Sequence, residues 1–149
     1  MNPIIFLIPI IVGIAAQVSK AFLNKNWLTE SKIHGRHLPR YGGMPSAHTA
    51  FAFSLATLAA LAEGIGSMSF AIASALVILL LDDALRMRVY LSRHGEALAQ
   101  LIKSQPPSAQ QKFPPLERRL GHSLPEVVVG ALVGIGLTIA LFWLLGGRA

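Results

Sequence analysis

Gly42-Gly43-Met44-Pro45-Ser46-Ala47-His48 runs without interruption into an apolar, helix-patterned segment over residues 46–62, and so places a histidine in that helix's first turn. Glycines let a backbone approach a ligand closely, proline fixes φ, and Ser46 is a natural N-cap beside N–H groups that lack a partner inside the helix. A helix start carries about half a positive charge, so the turn suits an anion, with His48 beside it to give or take a proton. Gly43 and Ser46 are therefore candidate phosphate-binding residues. Glycine turns before capped helices are common, and the weight of this one comes from the rest of the chain.

That chain has 149 residues, of which 53% are hydrophobic and only 13% charged. One domain of this size is too apolar for water, and a bilayer is the better solvent. There are no cysteines, which excludes disulfides and thiolate metal sites. The net charge of +6, set among long apolar runs and 7% aromatics, points to lipid headgroups or a phosphorylated ligand rather than to nucleic acid.

Towards the N-terminus, residues 3–19 form an apolar run about long enough to cross a hydrocarbon core. No charge precedes it and Lys20 follows it, the reverse of a signal peptide, so a retained helix is expected. Residues 21–45 turn polar and basic, a surface loop or short interfacial helix. Its His34 and His37 make a lone H-x-x-H without a third ligand, read as solvated, and no metal site is expected.

Towards the C-terminus, Glu63-Gly64-Ile65-Gly66 returns a third apolar helix, residues 67–83, antiparallel to the second. That helix is expected to end where acids and bases crowd together, in Asp82-Asp83-Ala84-Leu85-Arg86-Met87-Arg88. Over residues 89–103, Leu91, Leu98, Leu101 and Ile102 lie among Arg93, His94, Glu96 and Lys103, an amphipathic helix on the membrane face. A proline-bearing connector follows. The last apolar helix, residues 125–145, opens after Gly121-His122-Ser123-Leu124-Pro125-Glu126 and carries Gly130 and Gly134, a G-x-x-x-G face for internal packing or for a homo-oligomer.

The expected fold is all-α: a polytopic helical membrane bundle of one domain, with about four transmembrane helices (residues 3–20, 46–62, 67–83 and 125–145) plus an interfacial amphipathic helix. Twelve of the thirteen Lys and Arg then fall in loops 21–45 and 86–122 or at their edges, with Arg148 alone opposite. The positive-inside rule puts both loops in the cytoplasm and both termini outside. The glycine turn, the Asp82 to Arg88 cluster and the Gly121 to Glu126 turn all land on that cytoplasmic face, each at a helix mouth.

Phosphoryl transfer without a metal needs a nucleophile, a group to orient it, cations and N–H groups around the phosphoryl oxygens, and an acid for the leaving group. His122 and Glu126 are four apart at a helix start, so the carboxylate can accept from the imidazole and leave its other nitrogen to attack phosphorus. His48, on another helix mouth, can protonate the departing oxygen. Arg88 is the first choice to grip the phosphate through paired hydrogen bonds, with Lys20, Arg40, Ser46 and Gly43 as further candidates and Asp83 in support. Each has a plainer reading: Ser123 with Glu126 is an S-x-x-E capping box, Ser46 an N-cap, and Arg88 a headgroup anchor. A histidine at a membrane-embedded helix mouth, however, is costly unless partnered.

These motifs, taken together and in this order, resemble the divergent, short branch of the type 2 phosphatidic acid phosphatase superfamily, whose site is shared by vanadium-dependent haloperoxidases. The resemblance spans residues 17–136. It implies His48 as general acid, His122 as the phosphorylated histidine, Glu126 in place of the superfamily's aspartate, and Arg88 as the arginine of the third motif. The first motif, K-x6-R-P, is absent, with Lys20 and Arg40 as stand-ins. Ala47 replaces the glycine of P-S-G-H, and a long insertion separates Arg88 from His122. Where the divergent branch has D-A-x-G-V-R, this chain has Arg86 in the glycine's place.

The resemblance implies a membrane-embedded, metal-independent phosphatase of lipid or isoprenoid phosphates, with no cofactor and with vanadate as an inhibitor mimicking phosphate. Membrane lipids and the phosphorylated substrate are its expected partners, and nucleic acid is not. The alternatives are a catalytically inactive scaffold or anionic-lipid binder, and, less well supported, a small transporter using Asp82 and Asp83.

Overall fold

In the computed structural model, residues 3–23, 32–33, 36–37, 43–113 and 123–146 are described. A 3-10 turn, Pro3–Leu7, leads into α1, Ile8–Leu23. Then come β1, Lys32–Ile33, and β2, Arg36–His37, a two-residue antiparallel ladder where the sequence suggested a loop or helix. α2 is Ala47–Glu63 and α3 is Met68–Asp82. A π-helical turn, Asp83–Met87, joins α3 to α4, Arg88–Lys103. The short α5, Pro107–Gln110, and the long α6, Leu124–Leu144, complete an all-helical architecture.

α2 is the hub. It packs against α1, α3 and α6, and α1 also reaches α6. On α6 the buried residues Glu126, Gly130, Gly134, Thr138 and Phe142 recur every fourth position, and on α2 Ser46, Ala50, Ser54 and Leu58 do the same. Residues four apart share a helix face, so these two stripes lie against each other with both N-termini at one end. The Ser46 N–H donates to the Glu126 carbonyl at 3.0 Å. A Cβ on Gly130 would fall 2.6 Å from the Ser46 carbonyl oxygen, and one on Gly134 would press still harder on that of Ala50. The Ser54 and Thr138 hydroxyls hydrogen-bond across the next turn, and Leu58 and Phe142 share the apolar core beyond. The G-x-x-x-G face therefore serves internal packing against α2, which the sequence left open between that role and a homo-oligomer.

The described surface is largely apolar, while several polar residues are buried beside the apolar core. Ser46, Thr49, Ser54, Thr138, Lys20 and Glu126 are buried, while Phe6, Ile14, Ile72, Ile78, Leu132 and Trp143 are exposed. Such a surface is expected of a protein whose solvent is hydrocarbon. Two of the described helical stretches, Met68–Lys103 and Leu124–Leu144, are long and apolar enough to cross a bilayer, and Ile4–Lys20 and Ala47–Glu63 are shorter apolar helices. The Ser54–Thr138 bond sits in the α2–α6 seam, with Thr138 also donating to the Gly134 carbonyl at 2.6 Å. A double-mutant cycle of Ser54→Ala and Thr138→Val is expected to give a coupling of about 1 kcal/mol in detergent unfolding, the usual worth of such bonds between membrane helices.

The charged cluster after α3 does not end the helix. Met68 to Lys103 is one continuous helix of 36 residues. At a 1.5 Å rise per residue it is about 54 Å long, against about 30 Å of hydrocarbon, so its second half extends past a span. The amphipathic segment is this continuation rather than a separate element. The charges of the Asp82 to Arg88 cluster are matched within the helix, Arg86 to Asp82 and Arg88 to Asp83, which is why a run of charges did not break it.

Candidate active site

Four helices bring charge to the end of the bundle marked by the Ser46–Glu126 bond. Buried Ile5 of the 3-10 turn and Ile8, Val12 and Ala16 of α1 form a stripe that runs on to Lys20, which is only 5% exposed. An ammonium so placed must face charge or dipole, and Lys20 lies within electrostatic reach of the Glu126 carboxylate and of His48. His48, in the first turn of α2, is exposed and also feels Arg88 and Asp83.

The π-turn explains Arg88. On a regular helix, residues five apart point about 140° away from each other. In the i→i+5 register of a π-turn they come to one side, and the Arg88 Nε donates to Asp83 Oδ2 at 2.7 Å. That contact uses Nε and leaves the two terminal guanidinium nitrogens outside the ion pair. Arg86 pairs instead with Asp82 at 3.0 Å on the exposed surface, so its charge is balanced there.

The glycine turn takes the shape that its sequence demands. Gly43 has φ of +92°, a conformation that residues with a side chain rarely adopt, and Met44–Pro45 is cis. Ser46 is fully buried. Its Oγ accepts from the Thr49 N–H at 3.4 Å and from the Thr49 hydroxyl at 2.9 Å, so this serine caps α2. Glu126 performs the capping-box role: its Oε2 accepts from the Ser123 N–H at 3.0 Å. Both plainer readings of these residues are thus realised, and Glu126 takes part in interactions beyond that bond. His122, Arg40 and Gly42 lie outside the described residues.

The parallel α2 and α6 direct two helix N-termini at the same place, with Lys20, His48 and Arg88 around it. That arrangement can hold a tetrahedral oxyanion and pass a proton to it. The sequence profile of the Divergent PAP2 family matches residues 1–137. This chain belongs to the divergent PAP2 family. The chain is also similar to an uncharacterized membrane protein, YuiD, of Bacillus subtilis (strain 168), at 30% identity over 86% of this chain and 87% of that protein. No solved structure matches. Like that relative, this divergent PAP2 protein is a membrane protein. The feature that sequence reasoning underrated is Lys20: the stripe Ile5, Ile8, Val12, Ala16 already pointed to it, since the next inward position on α1 is residue 20.

Proposed function

We propose that this divergent PAP2 protein is a metal-independent phosphatase of lipid or isoprenoid phosphates, acting at the cytoplasmic membrane face through a phosphohistidine on His122. One observation carries the reading: His48, Arg88 and Lys20, far apart in sequence, gather where two parallel helices both begin. The cytoplasmic orientation rests on the cation asymmetry of the loops.

In this reading Arg88, held by Asp83, and the helix N-termini bind the phosphoryl oxygens. The His122 ring nitrogen attacks phosphorus, the bond from phosphorus to the leaving oxygen breaks, and that oxygen takes a proton from His48. Water then attacks the phosphohistidine, giving its proton to His48, and phosphate leaves with His122 restored. Lys20 offsets negative charge beneath the phosphate and replaces the missing first-motif lysine.

A binding role without turnover is favoured by the use of Ser46 and Glu126 as caps. Phosphate release from lipid phosphates and isoprenoid diphosphates by purified protein separates the two. Turnover is expected, with orthovanadate inhibiting because it resembles five-coordinate phosphorus. An acid-labile phosphoryl group trapped on the wild type is expected to be missing in His122→Ala. No phosphate release from any such substrate would overturn the enzymatic reading.

A further inference from the structure

The 36-residue helix formed by α3 and α4 leans on α2 along its first half and has no buried residue in α4. Its exposed side is regular. On α3, Met68, Ile72, Ala75, Leu79 and Asp82 are exposed at alternating steps of four and three residues. From Met87 the exposed residues Leu91, His94, Leu98 and Leu101 repeat those steps. Only the step from Asp82 to Met87 is five, and it spans the π-turn, where the Arg88 N–H donates to the Asp83 carbonyl. On a regular helix that step would throw the second series about 140° off the first. The i→i+5 register returns it to the same side, so one seam runs the length of the helix.

Steps of four and three average about 3.5 residues, less than the 3.6 of a straight helix, and mark a helix wound on another of its kind. Lipid can cover the α3 half of such a seam. It cannot cover the rest: along the helix, Leu91 lies about 14 Å past Asp82 and Leu101 about 28 Å, whereas headgroups add only about 5–8 Å to each side of the hydrocarbon. Leucines placed there face water unless protein covers them.

The charges identify that protein. Two identical chains side by side repel wherever unmatched charges flank their seam. Here Tyr90, Gly95, Ala97 and Ile102 flank it, and Arg93, Glu96 and Lys103 stand away from it. The charged residues at the π-turn are neutralised within each chain, Asp82 by Arg86 and Asp83 by Arg88. A strip as long as the helix, about 54 Å, and one helix wide, about 10 Å, hides on the order of 1,000 Å² over both copies, the area a specific interface needs.

We propose that the α3–α4 seam is a homodimer interface, on which a second copy of this chain lays its own seam in parallel. Copies inserted the same way round in a bilayer meet about a two-fold axis along its normal, which aligns Leu91 with Leu91 and Leu98 with Leu98. His94 then meets its own copy, the kind of polar layer by which paired helices fix their register. The proposal is independent of phosphate turnover.

The chain has no cysteine, so single-cysteine variants of the full-length protein test the seam in dilute phosphatidylcholine vesicles. Leu79→Cys, Met87→Cys, Leu91→Cys and Leu98→Cys are expected to oxidise to a disulfide-linked dimer about tenfold faster than Arg86→Cys, Glu96→Cys and Leu132→Cys, because only facing residues bring their Cβ atoms close enough. Equal rates at all seven positions, or Arg86→Cys outpacing Met87→Cys, would overturn the seam. Single-molecule photobleaching with one dye at each C-terminus gives a second reading. Wild type is expected to bleach in two steps, and the double variant Leu91→Glu, Leu98→Glu in one, with its helix content unchanged by circular dichroism. One step in the wild type would overturn the dimer. Two steps in the double variant would place the interface elsewhere and overturn the proposal equally.

Discussion

Arg88→Ala is expected to lower kcat/KM for every phosphorylated substrate by about 10²–10³-fold, the usual loss when one preorganised donor to a developing charge is removed. The guanidinium is fixed by its Asp83 bond, so its remaining nitrogens need no reorganisation when phosphate arrives. Arg88→Lys is expected to recover little, because an ammonium cannot hold Asp83 and grip two phosphate oxygens in one plane. Asp83→Asn keeps a hydrogen-bond acceptor and should act more gently, mainly by raising KM, since it loosens the arginine without removing it. Steady-state kinetics on the three variants, with circular dichroism to verify folding, decides the matter. Equal kcat/KM in Arg88→Ala and the wild type would remove Arg88 from the site.

Gly134→Ala is expected to destabilise the bundle by about 3 kcal/mol or more, at the upper end of what overpacking usually costs. The atoms nearest an added Cβ are all backbone of Ala50, so no side chain can swing aside and the helices themselves must part. Gly130→Ala meets the Ser46 carbonyl and should also disturb the turn that precedes His48. Gly136→Ala is the control: nothing lies within 4 Å of its added Cβ, and a change within about 0.5 kcal/mol is expected. Unfolding in mild detergent measures all three. A Gly134→Ala protein as stable as Gly136→Ala would refute the α2–α6 register.

The all-helical fold was legible in the sequence because long apolar runs separated by charged loops leave few alternatives in a bilayer. The helix starts at residues 47 and 124 could be read to within one residue from the sequence, through the cap chemistry of Ser46 and Ser123. The course of the chain after Asp82 could not. Its charges look like an ending, and only the i→i+4 pair of Arg86 with Asp82 and the π-register pair of Arg88 with Asp83 reveal how a helix continues through them. The partner of Gly130 and Gly134 was equally hidden: a small-residue face declares that something comes close, whereas the stripe that meets it, Ser46, Ala50, Ser54 and Leu58, identifies itself only once α2 and α6 are known to be neighbours. Lys20 belongs between these cases, signalled by α1 periodicity and masked by its position at the end of an apolar run.

The seam between α2 and α6 couples Ser54 to a residue 84 positions later, and α3 leans chiefly on α2 alone, while no residue of α4 is buried. The polypeptide joining the two halves of that seam is therefore an excursion, tethered at its ends and braced by one neighbour. Doubling the length of such a tether costs only about 0.6 kcal/mol in closure entropy. Residues can therefore be added between α3 and α6 without moving either half of the seam, and segments inserted at the outer tip of that excursion should be the part of this protein freest to drift.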